Sequence, residues 1–148
     1  MEQMTSALIL GLLLSIQALA SPSGSGHGNL IGEWKLQRMA YQGKPMPLPN
    51  PDLNLRFTFF DAGTERLYWD RGGPEFCERF AHYKIQGNIL QQEIYAINPG
   101  NAAECAKDPD MQLGKKTATK MSFSSNELFL FFQLGEEELI YVFKGVSQ

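Results

Sequence analysis

The sequence predicts an all-β domain: an eight-stranded antiparallel up-and-down β-barrel with one short helical turn at most. Three observations predict it. From Leu30 onward the apolar residues recur mostly with period two, the spacing of a half-buried strand, and no long 3.6-period stretch interrupts them. Clusters of Gly, Pro, Asn and Ser cut that alternation into eight short runs joined in hairpin succession. A meander of that kind either exposes two long edges or rolls up, and closure removes the edges. A sandwich of two sheets is the structural alternative.

The elements follow in chain order. Residues 1–20 contain the apolar run "ALILGLLLSIQALA", ending in Ala18 and Ala20, which fits a signal peptide with Ser21 as the new N-terminus. Its n-region, "MEQMTS", carries no basic residue. Residues 21–28, "SPSGSGHG", form a flexible tether, and residues 29–148 form the barrel domain. The first strand runs Leu30–Met39, followed by "YQGKPMPLPNPD", a Pro-rich loop that a helix or a central strand would not tolerate. "LNLRFTFFD" alternates cleanly, and Asp61-Ala62-Gly63 turns it into "TERLYWDR". After Gly72-Gly73-Pro74 comes "FAHYKIQ", and Gly87-Asn88 makes a two-residue hairpin into "ILQQEIYAIN". The irregular stretch 99–114 holds one helical turn near Ala102–Lys107. "KTATKMSFS", "ELFLFFQLG" and "EELIYVFKGV" complete the set.

Composition narrows the function. The formal charge is −3 with both signs interspersed, so no basic stripe exists to neutralise phosphates, which argues against nucleic-acid binding. Beyond the leader no apolar run is long enough for a membrane span. The two cysteines, Cys77 and Cys105, read as one disulfide in an oxidising compartment, so the chain is expected to be secreted or periplasmic.

Gly32 and Trp34 lie two apart and share a strand face, with Glu33 on the other. Glycine leaves room for a bulky neighbour or a sharply bent strand, and the tryptophan can plug a barrel end if its indole N–H finds a partner. On these residues, "LIGEWKL" resembles the first-strand signature of the lipocalin and wider calycin superfamily, in particular its short bacterial lipocalin-like members. "LIYVFKG" is similar to the final strand of such domains. The resemblance covers the mature chain in architecture and its two ends in motif. It implies a basic side chain over the first-strand tryptophan, for which Lys144 is the nearest candidate, as a cation–π partner. It also implies binding of small hydrophobic molecules.

Alternation suggests the lining of such a chamber. Leu55, Phe57 and Phe59 share one face, as do Leu67 and Trp69, Tyr83 and Ile85, Met121 and Phe123, Leu128, Leu130 and Phe132, and Leu139, Tyr141 and Phe143. The candidate ligand contacts are Phe57, Phe59, Trp69, Tyr83, Met121, Phe132 and Tyr141. The competing reading is that these side chains fill the barrel solidly. Phe129 and Phe131 would point outward, covered by the 99–114 segment or offered to a partner. Glu104, Asp108 and Asp110 lack calcium-loop spacing, and Asp-Pro as a turn starter explains them. His82 is expected outward, Glu93 solvated, and no G-x-S-x-G elbow is present, so neither a metal, a cofactor nor an enzyme is expected. The leading expectation is an exported carrier of a hydrophobic small molecule. The rival is a protein-binding barrel resembling periplasmic protease inhibitors, whose N-terminal tail enters the protease cleft; the 99–114 loop is a second surface for a protein partner.

Overall fold

The computed structural model describes residues 30–124 and 126–146. The leader, the tether with His27, and hence the tail proposed to enter a protease, lie outside the described residues.

Among the described residues nine strands form a single antiparallel sheet: β1 (Gly32–Tyr41), β2 (Lys44–Met46), β3 (Asn54–Phe59), β4 (Thr64–Asp70), β5 (Phe76–Gln86), β6 (Ile89–Ile97), β7 (Lys116–Phe123), β8 (Glu127–Leu134) and β9 (Glu137–Gly145). From β3 to β9 each strand pairs with the next in sequence, and β1 pairs with both β3 and β9, so the sheet closes on itself. The eight strands of the tube are β1 and β3 to β9. The short β2 is a flange, folded back on β1 alone.

This ninth strand departs from the expectation of an unstructured Pro-rich loop. Gln42 and Gly43 both have positive φ, the pair that a tight hairpin turn needs. Pro45 then faces Ala40 from the sheet edge, where a missing N–H breaks no further ladder. β5 also starts earlier than the "FAHYKIQ" run, at Phe76, because Cys77 and Arg79 point inward with Ala81. The irregular stretch carries two short 3-10 turns, Ala103–Lys107 and Pro109–Met111, where one was expected. The Asp108 carboxylate accepts the Asp110 N–H at 2.8 Å and so starts the second.

The tube has two different ends. One gathers the start of β1, the β3–β4, β5–β6 and β7–β8 turns, and the end of β9. There Trp34 is buried, and its indole N–H donates to the Leu30 carbonyl at 2.8 Å, satisfying the partner a buried indole requires. Gly32 has φ +127°, and a Cβ built on it would meet nothing within 4 Å. The glycine is therefore there for its backbone conformation, not to make room for a neighbour. Lys144 does not cover the indole. Phe143 points inward, so Lys144 points out, between Lys35 and Glu127 on the neighbouring strands. Gly145 lies against the ring instead, where a Cβ would stand 3.7 Å from it.

The opposite end gathers the β1–β3, β4–β5 and β8–β9 connections and the long β6–β7 connection, residues 98–115. The Cys77–Cys105 disulfide ties that connection to the start of β5, with the two Cα atoms 5.6 Å apart. Closing a loop of 28 residues is worth about 3.5 kcal/mol in the chain-entropy account. The connection packs at this mouth and not over the outward ring of Phe131, which is covered by the Lys120 ammonium 5.1 Å from its centroid.

Candidate functional site

Within the tube the core divides at mid-height. Toward the Trp34 end, Phe59, Met121 and Leu128 are packed tight, with Phe143 between them and the space above. Toward the mouth the packing opens into a cavity of about 80 Å³, walled by Leu55, Phe57, Leu67, Leu130, Phe132 and Tyr141 among others. Leu55, Leu67, Asp110 and Tyr141 also border a second space of about 220 Å³, which includes Leu53, Trp69, Arg71 and Asp108. The two together form one chamber that deepens from the mouth.

The side chains expected to contact a ligand divide between these regions. Phe57, Phe132 and Tyr141 line the inner cavity, and Trp69 and Tyr141 the mouth. Phe59 and Met121 belong to the packed floor. Tyr83 stands edge-on to Phe59 at 5.1 Å, and its hydroxyl donates to the Phe60 carbonyl at 3.1 Å. These three are below the chamber, because on their strands they are one step closer to the Trp34 end. Burial raises the Tyr141 hydroxyl above the ordinary tyrosine value, so at the chamber wall it is a hydrogen-bond donor as well as an acceptor. At the rim the Arg71 guanidinium lies 5.1 Å from the Trp69 ring.

The interior also holds polar groups that the apolar pattern does not announce. Glu65 is 0 % exposed, Arg79 4 % and Gln92 9 %. The Arg79 guanidinium donates through Nη1 to Glu65 Oε1 and through Nε to the Asp110 carbonyl at 3.1 Å. The Gln92 amide donates to the same Glu65 oxygen at 2.7 Å. Glu65 Oε2 is buried with no hydrogen-bond partner among the described residues. Burial pushes the Glu65 carboxyl up from the ordinary glutamate value, while Arg79 and Gln92 pull it down. Arg79, Gln92 and Thr117 reach the cavity surface, with Glu65 behind them. The signal for Glu65 was present in strand parity, since Glu65, Leu67 and Trp69 alternate on one face. Gln92 follows equally from Leu90 and Ile94.

A larger depression of about 730 Å³ lies on the outer face, bordered by His82, Lys84, Glu93 and Lys116. Tyr83, Gln92 and Thr117 border it as well, and its charged side chains stand in solvent. Glu93 is exposed there and pairs with Lys116 at 3.7 Å, and His82 stacks on Tyr95 with centroids 4.4 Å apart. The inner cavity between the floor and the mouth is the better candidate, because it is the more enclosed and the more apolar of the two and buried polar groups converge on it, features that mark a ligand site more than volume does. Among the described residues no cluster of His, Cys, Asp and Glu is placed to hold a metal ion, and no helix is long and apolar enough to cross a membrane.

No family model matches the chain, and no curated protein matches it. Among solved structures the chain is similar to a lipocalin-like protein from Bacteroides uniformis ATCC 8492, with a TM-score of 0.53 over 80% of this chain and 100% of that one, at 18% identity. The fold is lipocalin-like. In this lipocalin-like barrel the Trp34 end is the closed base, and the end under residues 98–115 is the mouth.

Proposed function

We propose that the protein binds a small, largely apolar molecule in the chamber at the mouth of its lipocalin-like barrel, and carries or sequesters it outside the cytoplasm. The observation that carries this reading is the unfilled space between the packed floor and the mouth, walled by Leu55, Phe57, Leu67 and Tyr141. A barrel filled solidly would have no such space. The inner cavity is smaller than the roughly 300–1,000 Å³ of a drug-sized pocket. The ligand is therefore short, with part of it lying in the mouth between Trp69 and Tyr141. The disulfide supports an oxidising compartment, and the apolar leader supports export.

Titration with 1-aminoanthracene, a small neutral fluorophore, tests the reading. Saturable binding is expected, and Leu67→Trp, which places an indole in the chamber, is expected to weaken it at least tenfold while leaving the circular dichroism spectrum of the barrel unchanged. Absence of saturable binding to the wild-type protein, together with no co-purifying small molecule in native mass spectrometry, removes the reading.

A further inference from the structure

The chamber is built around one positive and one negative buried charge that are already paired with each other. Arg79 and Glu65 share a direct hydrogen bond, and neither side chain is more than 5 % exposed. Arg79 presents its flank to the inner cavity beside Gln92 and Thr117, whose hydroxyl lies 3.4 Å from Gln92 Oε1. Leu55, Leu67 and Trp69 lead from these polar groups out to the rim, where Arg71, Asp108 and Asp110 stand at the water. A head group entering first therefore meets hydrogen-bonding atoms at the bottom and an apolar wall behind.

The charge of that head is constrained by the pair. A carboxylate reaching Arg79 has to share it with Glu65, leaving two anions on one buried cation, with Asp110 also bordering the cavity. An ammonium meets Arg79 as a like charge. Either way a buried charge is left without its full partner, which is strongly unfavourable. A hydroxyl or amide leaves the pair intact and can exchange hydrogen bonds with Arg79, Gln92 and Thr117.

Resting on the ligand-binding reading above, we infer that the chamber selects uncharged amphiphiles, molecules with a hydroxyl or amide head and a short apolar tail, against fatty acids of equal length, and that the Glu65–Arg79 pair sets this preference. Glu65 is a specificity-determining residue that acts through Arg79. If its carboxylate is replaced by an amide of the same shape, Arg79 becomes an unpaired cation facing the cavity and the preference turns toward anions.

The experiment is displacement of 1-aminoanthracene by 1-octanol and by octanoate at neutral pH, on the wild-type protein and on Glu65→Gln. For the wild type, octanol is expected to compete at least tenfold better than octanoate. For Glu65→Gln, the ratio is expected to shift at least tenfold toward octanoate. Equal competition by the two probes on the wild type overturns the inference and leaves the ligand-binding reading standing. Failure of both to compete, with no binding of the fluorophore, overturns the reading and the inference with it. Should Glu65→Gln fail to fold, Glu65→Asp, which draws the carboxylate away from Arg79 by one methylene, is expected to shift the ratio in the same direction, and an unchanged ratio overturns the role of the pair.

Discussion

Gly32 and Trp34 show how far one residue's requirements can be read without coordinates. Their shared strand face and the need for an indole partner follow from spacing and chemistry, and the Leu30 carbonyl supplies the partner. The reason for the glycine was open, and the empty space around its Cβ position assigns it to backbone conformation. Gly32→Ala is thus expected to lower the unfolding free energy by about 1–3 kcal/mol through strain alone. Urea titration measures it, and binding at the far end of the tube is expected to stay unchanged. Lys144 was misplaced for a reason of parity: its neighbour Phe143 takes the inward position, so a lysine one step on cannot reach the same interior. Glu65, Arg79 and Gln92 are not announced by the apolar pattern, because they are polar residues that share an inward face with apolar ones.

At the scale of elements, alternation located all eight strands of the tube, and their pairing order matches the hairpin succession. Boundaries were weaker where composition misled. Cys77-Glu78-Arg79 does not look like a buried strand, yet the disulfide and an ion pair make it one. The β2 hairpin was concealed by the prolines around it, although Gln42-Gly43 carried the turn. The disulfide matters most for the 98–115 connection, since it holds Asp110 where its carbonyl accepts from Arg79. A Cys77→Ser, Cys105→Ser variant is expected to lose about 2–4 kcal/mol of stability. Hydrogen exchange is expected to show the gain in amide exchange concentrated in residues 98–115, with β7 to β9 remaining protected. Uniform loss of protection across the barrel would contradict this local role.

For the molecule as a whole, closure was legible because an open meander of eight strands leaves edges that soluble proteins avoid. The size of the chamber was not, since the same aromatic side chains can fill a tube or line one, and only their packing decides. Stability against pH is also a property of the whole. Hydrogen bonds from the Gly72 N–H, Asn54 and Tyr68 hold the Asp70 carboxyl below the ordinary aspartate value. A depressed carboxyl favours the folded state above its unfolded value and loses that contribution as pH falls through the folded one. Glu127, held low by its hydrogen bond with Arg38, acts with the same sign, whereas Glu65, raised by burial, acts with the opposite one. The urea midpoint is therefore expected to fall between about pH 5 and about pH 2, with a shallower fall in Asp70→Asn.

The two-sided pairing of β1 has a temporal consequence. Its first half meets β3 early, but the other half waits for β9, and the Trp34–Gly145 contact spans nearly the full length of the domain. While the ribosome is still producing β9, the nascent ribbon carries an unfinished seam, so the native state is reached only after synthesis of the last strand. Such a late commitment leaves the polypeptide threadable for longer, which suits the export proposed above.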